Sequence, residues 1–502
     1  MQLNVADWFL DARVREGRGE RTALITDTRR WTYREVQARA NQYADVLSRA
    51  GVKPEQRVIV ALGDGADYVA ALFGILKIGA VVVMVNPDLK PDAIRYFFEY
   101  SRAVAAFVPV DRRQGFEEAA AGAAHAPELL LVGSDEWNAR VAAAPAARET
   151  FPTHQDDPAI WLFSGGTTGR PKAAVQPHRS YVNTCRCYAR HVIGYQEDDV
   201  TLSVPKLYFG YAMGSNLFFP FSAGAACVLF EERCTPEAIF TRVARHRPTV
   251  LVAVPTLINQ LVTHPEAARQ DFSCIRVATS AGEGLPAELH ARWDRVFGVP
   301  LLDGLGTAEQ WHIFLSNRIG RIRRGTLGEV VPGFEIRVMD EEGREVPDGT
   351  MGHLWVRGGS RALGYWQQHE KSQQCFRGEW VVTGDLVCRD ADGYFTYGGR
   401  ADELLKVSGK WLSATEVESC LLLHPAVTQA AVVGVADASG LVKPHAWVVP
   451  AEQREGLAEE LKRFVYDRLE HYKCPREVVF VDALPTTHLG KVDRGKLRGL
   501  PT

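Results

Sequence analysis

The run LFSGGTTGRPKAAV, Leu162 to Val175, sets three glycines, two threonines and two cations behind an apolar stretch. Glycines let backbone N–H groups approach an anion, and Ser164, Thr167 and Thr168 add hydroxyl donors, so the loop is suited to phosphate oxygens. The spacing is not that of a P-loop: Gly165 and Gly169 stand four apart, Arg-Pro-Lys follows, and Pro171 interrupts a helix start. A plain solvated turn is the alternative. A second pattern, IRVATSAGEGLPAEL, reads as a strand, then G-x-G-x-x-A at Gly282, Gly284 and Ala287, then a helix, with Asp303 about 20 residues on. That fits a dinucleotide fingerprint and an NAD enzyme. Against it, Glu283 would sit among phosphate oxygens, and the unit begins deep in the chain. Asp385 in TGD, Glu309 after a tight turn and Lys491 in HLGKVDR are further charged candidates, each of which alone also suits a solvated turn or surface.

These groups need a scaffold, and bulk properties narrow it. The chain has 502 residues, 46% hydrophobic and 24% charged, an ordinary globular composition with room for roughly two to four domains. Lys plus Arg total 58 against 61 Asp plus Glu, so a net charge of −3 offers no basic field for nucleic acid or an anionic membrane. Nine cysteines without a Cys-x-x-Cys pair argue against a disulfide framework or zinc ribbon and for a reducing, cytoplasmic setting. The start, MQLNVADWFLDAR, carries Asp7 and Asp11 where a signal peptide needs basic and then apolar residues. The best apolar run, LFFPFSAGAACVLF, has 14 residues and a proline, against about 20 needed to span a bilayer.

Along the chain, helical and strand patterns alternate as in an α/β protein with a largely parallel sheet. WTYREVQARANQYADVLSRAG places Val36, Tyr43, Val46 and Leu47 on one helical face, and RVIVAL, VVVMV, AAFVPV and LLLVG read as buried strands. A second α/β run covers residues 159–304. From Leu327 to Tyr397 the pattern changes to hairpin-length strands with Asp-Gly and Glu-Gly turns, an antiparallel β unit. After GGRADE a compact α+β tail of about a hundred residues suits a small domain of its own. The expected division is 1–400 and 401–502.

Read together, FSGGTTGRPKAAV, DGLGTAEQWHIFLSN, TGD, GRADELLKVSGKWLSATEVE and LPTTHLGKVDR stand in the order and at about the spacing of the core motifs of the adenylate-forming superfamily. The chain resembles its acyl-CoA synthetases, luciferases and adenylation domains. Through KLYFGYAMG and HIFLSN it is most similar to benzoate and substituted-benzoate CoA ligases, including those for 2-aminobenzoate. The resemblance implies a large N-terminal domain, a small mobile C-terminal one, and ATP, Mg²⁺ and coenzyme A as co-reactants. Residues Ser164, Gly165, Gly166, Thr167, Thr168, Gly169 and Lys172 would cradle the β- and γ-phosphates. Thr307 would contact the α-phosphate, and Glu309 would help hold the metal. Asp385, with Arg400 nearby, would bind the ribose, and Gly282, Glu283 and Asp303 would line the adenine pocket. Lys491 would bridge the acid and the α-phosphate in catalysis.

By the same likeness, Gly210, Tyr211, Gly306, His312 and Ile313 would wall an aromatic-acid slot, although Tyr211 and His312 also suit plain core positions. Alanine is common in relatives where Gly210 stands, so the missing methyl would admit an ortho substituent. Asp402 would be the hinge on which the small domain exchanges its lysine face for a thioesterification face bearing Lys406 and Gly409. Tyr472, Lys473 and Arg476 would meet the CoA nucleotide. Ser413 and Glu416 have capping-box spacing. The expected product is an aryl-CoA. A carrier-protein thiol as acceptor, a homodimer, and a nucleotide-binding protein without turnover stay open.

Overall fold

The computed structural model describes residues 1–165, 170–407, 410–437, 441–485 and 492–499. The large part of the chain is built on two α/β sheets and one antiparallel sheet. The first sheet has six strands, ordered Glu128–Val132, Ala105–Pro109, Arg57–Val60, Val81–Met84, Pro158–Ser164 and Lys172–Pro177. All neighbours are parallel except the last pair. Its inner strands are runs such as VVVM, buried along their whole length, as a sheet covered on both faces requires.

Ser164 pairs with Lys172 in an antiparallel hairpin, so the glycine-rich run stands between its two strands in the sequence. A strand, not a helix, follows it. Pro171 therefore precedes the second hairpin strand, where a missing N–H removes no helical bond.

The second sheet has nine strands, with Val277–Ser280 beside Leu301–Thr307, then His312–Ser316 and Glu329–Val330 at one edge. Its centre is parallel; from Leu301–Thr307 outward it becomes antiparallel. The third sheet is antiparallel, with Phe334–Met339, Met351–Gly358 and Trp380–Arg389 in order, and Phe395–Arg400 paired to Trp380–Arg389. A short helix, His369–Cys375, interrupts the stretch that reads as continuous hairpins.

Helix Tyr33–Arg49 starts at Thr32, whose side chain accepts from Glu35 N–H while Glu35 accepts from Thr32 N–H at 2.7 Å. Val36, Tyr43, Val46 and Leu47 are buried, in agreement with the periodicity. From Leu404 on, a hairpin (Leu404–Val407 and Lys410–Ser413), helix Ala414–Leu422 and a sheet of Val427–Ala436, Val442–Pro450 and Glu477–Phe480 enclose a separate core around Val417, Leu421, Val432, Ala446 and Leu461. The chain is α/β in its large part and α+β in its small one.

One local expectation fails here. Helix Ala414–Leu422 does follow Ser413, but the Ser413 side chain makes no cap. The Glu416 carboxylate is taken by Lys473 Nζ at 2.8 Å, a charge pair that outcompetes the reciprocal capping bond. All nine cysteines are free. Among the described residues, no helix is long and apolar enough to cross a membrane.

Candidate active site

Strand Leu301–Thr307 and the turn Ala308–Gln310 carry much of the site in sequence order. Asp303 pairs in register with Ser280, Gly306 with Ile313, and Thr307 with His312. Just beyond, the buried Glu309 accepts a hydrogen bond from Tyr365 O–H at 2.5 Å, and Lys172 Nζ stands 3.9 Å from the same carboxylate oxygen. Lys172 also lies 3.9 Å over the Tyr365 ring. Residues 363–366 reach this point by running along the hairpin strand: Val175 N–H donates to Gly364, and Trp366 N–H to Ala173.

Charges from distant parts of the chain act on one another here. Burial lowers the pKa of Lys172, Glu309 opposes that, and the Arg400 cation adds to it. Burial raises the pKa of Asp385, Arg400 opposes it, and Glu309 adds to it. Lys172, Glu309, Arg400 and Asp385 therefore lie within electrostatic range of one another. Arg400 is held above Asp385, Nη1 to Oδ1 3.6 Å, by a bond to the Thr383 carbonyl at 2.8 Å and by Asp402 Oδ1, 3.1 Å from its Nε. Tyr397 O–H donates to Asp385 at 3.3 Å.

On the strands that carry these residues, two hydroxyls and one carboxyl oxygen are buried without a partner: Ser164 Oγ, Thr307 Oγ1 and Asp303 Oδ1. Buried polar groups are ordinarily hydrogen-bonded, so donors left open beside two cations mark a place for a polar, anionic ligand. Asp303 is fully buried, and desolvation pushes its pKa well up. Gly282 has φ +91° with open space where a Cβ would stand, so its backbone is accessible to a ligand. Glu283 is engaged by Thr256 through both its N–H and its hydroxyl, the latter at 2.7 Å. The strand–helix–strand unit expected here is present, and its helix begins at Ala287, after Pro286. Gly282 and Gly284 lie in the turn before that helix, where the pattern places them, and Glu283 between them, already engaged by Thr256, does not suit a pyrophosphate.

The five acid-pocket candidates cluster. The Tyr211 carbonyl accepts from His312 Nε2 at 3.0 Å, and the Tyr211 hydroxyl lies 2.8 Å from Thr279 Oγ1. Burial holds His312 neutral, its pKa down to about 3. A Cβ on Gly306 would collide with the His312 carbonyl, so only glycine permits this approach. Trp311 and His312 both have positive φ, +29° and +82°, an arrangement costing about 1–3 kcal/mol per residue that packing must override. Trp311 supplies that packing, fully buried against Tyr181, Phe218 and Phe219. A methyl on Gly210 would lie 3.3 Å from Leu162 Cδ2, so the space its absence opens is beside Leu162.

Other candidates are placed differently. Lys473 is held by Glu416 and Glu470, each at 2.8 Å, and its side chain is only 14% exposed, so it is not a ready surface cation. Tyr472 has Lys410 5.0 Å over its ring. Arg476 N–H donates to the Pro444 carbonyl, and Lys406 lies on the first strand of the small hairpin. Gly166, Thr167, Thr168, Gly169, Gly409 and Lys491 lie outside the described residues. Tyr365, Tyr397 and Thr383 are site residues that the sequence reading did not single out; the aromatic pair of ALGYW after a glycine was the available signal.

A magnesium ion suits this chemistry through few protein ligands. Among the described residues no cluster of three or more His, Cys, Asp or Glu could enclose a metal, and Glu309 offers one buried oxygen-donor group beside the open hydroxyls. Mg²⁺ commonly keeps water and substrate phosphate in its shell, so one carboxylate suffices.

The AMP-binding enzyme family profile matches residues 10–366, and that of the AMP-binding enzyme C-terminal domain matches residues 416–491. A benzoate–CoA ligase of Thauera aromatica is 39% identical over 99% of this chain and 96% of its own length. The crystal structure of the anthranilate CoA ligase AuaEII in complex with anthranoyl-AMP superposes with a TM-score of 0.94 at 36% identity, covering 99% of this chain and 97% of that one. A benzoate CoA ligase of Burkholderia xenovorans LB400 gives 0.89 at 41% identity over 99% of both chains. The electrostatic grouping of Lys172 and Glu309 with Arg400 and Asp385, and likeness along the whole length, lead to one conclusion: the chain belongs to the AMP-binding enzyme family.

Proposed function

We propose that this protein joins an aromatic carboxylic acid, benzoate or an ortho-substituted benzoate such as 2-aminobenzoate, to AMP with release of pyrophosphate, and then passes the acyl group to the thiol of coenzyme A. The observation that carries the reading is the electrostatic grouping of Lys172, Glu309, Arg400 and Asp385, with open buried hydroxyls at Ser164 and Thr307. The full-length likeness to benzoate and anthranilate CoA ligases supports the aryl substrate.

The chemistry explains why these groups are collected. A carboxylate is a weak nucleophile and is repelled by a triphosphate. In the first step its oxygen bonds to the α-phosphorus as the bond to the bridging oxygen breaks and pyrophosphate leaves. Lys172 and the hydroxyls of Ser164 and Thr307 are proposed to hold the charged oxygens, with the glycines of the loop and Lys491 completing the cradle. Asp385, kept in place by Arg400 and Tyr397, accepts the ribose hydroxyls. Asp303, Gly282 and Glu283 border the base. A metal ion held by Glu309 and the phosphates would supply positive charge at the leaving group.

In the second step a thiolate attacks the acyl carbon and AMP departs. We propose units of 1–400 and 401–502, with rotation at Asp402 bringing Lys406 and Gly409 toward the acyl group and Tyr472 and Arg476 toward CoA. Lys473 is a weaker member of that set, since two carboxylates already hold it. A cytoplasmic setting is in keeping with nine free cysteines. Acid-dependent exchange of labelled pyrophosphate into ATP over a panel of aryl and alkyl acids tests the first step. Thioester yield with CoA against a phosphopantetheinyl carrier protein tests the second. Exchange only with long-chain fatty acids would reject the aryl reading.

A further inference from the structure

The segment between strand Val200–Ser203 and helix Gly210–Met213 delivers Gly210 and Tyr211 to the proposed acid pocket, and one of its residues is gripped through both its N–H and its carbonyl from outside the site. Leu207 N–H donates to Asp64 Oδ1 at 2.9 Å, and the Leu207 carbonyl accepts from Tyr68 O–H at 3.0 Å. Both partners come from the start of helix Ala66–Lys77 and the residues just before it, and both are buried, as is Leu207. Lys206 is engaged elsewhere, its ammonium donating to the Phe230 carbonyl at 2.6 Å and lying 3.7 Å over that ring. Beyond Leu207 the backbone is stiff: Phe209 N–H returns to Lys206, and Met213 N–H to Phe209, each at 2.9 Å. A shift at Leu207 is therefore passed to Gly210 and Tyr211 within one turn.

We propose that Asp64 is a positioning residue for acid binding: through Leu207 it sets where Gly210 and Tyr211 stand, and its ionisation tightens that grip. The proposal rests on the reading of Gly210 and Tyr211 as pocket walls.

The surroundings of Asp64 set the sign of the effect. Burial is the dominant influence and raises its pKa from 3.8 to about 7; Lys206 and the Leu207 N–H oppose the rise, and Glu231 adds to it. Tyr68, Tyr208, Cys227 and Cys234 also face it, and burial raises the pKa of all four, so they stay neutral. At low pH the protonated acid accepts an ordinary hydrogen bond from Leu207. As pH rises through about 7 the carboxylate accepts a charge-assisted one, roughly twice as strong. Acid affinity consequently increases with pH in that window. Fold stability moves oppositely: the raised pKa stabilises the native state fully below 3.8, and that contribution is lost as pH rises through about 7.

The test is pyrophosphate exchange with benzoate in the full-length protein, measured through the range around pH 7 for wild type, Asp64→Asn, Asp64→Ala and Tyr68→Phe. Asparagine keeps an acceptor for Leu207 without a charge. The wild-type KM for benzoate should fall as pH rises, whereas that of Asp64→Asn should stay flat and within about threefold of the wild-type value at low pH. Asp64→Ala and Tyr68→Phe should raise the benzoate KM by up to about tenfold, the equivalent of one buried hydrogen bond, with the KM for ATP unchanged. Identical pH profiles in wild type and Asp64→Asn would overturn the proposal. So would a parallel change of acid and ATP KM in the folded variants. Absence of exchange with benzoate and with 2-aminobenzoate alike in the wild type refutes the aryl reading instead, and the comparison is then made with the acid that does support exchange.

Discussion

Replacing Tyr365 by phenylalanine removes one oxygen from the phosphate end of the proposed site and little else. The ring keeps its neighbours, Phe376 at 5.2 Å between centroids and the Lys172 ammonium at 3.9 Å, so the fold should survive. What disappears is the O–H donated to Glu309 at 2.5 Å, together with its weaker contact to Cys375 Sγ at 3.4 Å. A hydrogen bond to a charged acceptor contributes about 1.5–3 kcal/mol. At about 1.4 kcal/mol per factor of ten, this corresponds to about 10- to 150-fold in whichever step needs Glu309 in place. Lys172 cannot substitute, since 3.9 Å is too long for a hydrogen bond. Burial and the adjacent carboxylate hold the Tyr365 phenol well above its ordinary pKa, so it donates at every working pH and the loss should not depend on pH. The assay is acid-dependent pyrophosphate exchange titrated with magnesium at saturating ATP, with a thermal melt as control. Either the exchange rate or the half-saturating magnesium should worsen by the stated factor. A folded variant within twofold of wild type in both would refute the idea that Tyr365 orients Glu309.

Lys491→Ala should lower single-turnover acyl-AMP formation by about 100-fold or more, as loss of a preorganised transition-state donor does; an unchanged burst would remove Lys491 from the mechanism. Asp402→Pro should slow thioester formation more than adenylation, because it restrains φ at the proposed hinge. Equal losses in the two half-reactions would count against a hinge there. Gly210→Ala would set a methyl 3.3 Å from Leu162 Cδ2, and should disfavour 2-aminobenzoate against benzoate by about tenfold or more in kcat/KM. A variant that treats both acids alike would show that this space does not select the substituent.

The two kinds of sheet were legible because burial imposes a period on sequence. VVVM is continuous and buried in a parallel sheet, whereas FEIRVM alternates in the antiparallel one. The helix at Tyr33–Arg49 announced itself by its apolar stripe. Local patterns fared worse where a distant charge intervened. Ser413 and Glu416 have the spacing of a reciprocal cap, but Glu416 pairs instead with Lys473, 57 residues away.

The same division holds within the candidate site. Residue type and order by themselves brought out Ser164 and Lys172 in a glycine- and hydroxyl-rich run suited to phosphate, whereas Thr307, Glu309 and Asp385 entered through the resemblance of the ordered motifs to the adenylate-forming enzymes. Tyr365 and Asp64 carry no such mark. Their importance arises from what each touches, Glu309 across 56 residues and Leu207 across 143. A hydrogen bond between elements has no period and no spacing rule, because its partners are chosen by how sheets and helices pack. Chain chemistry therefore named the ligand class, and only the folded structure decided which side chains hold the reacting groups in place.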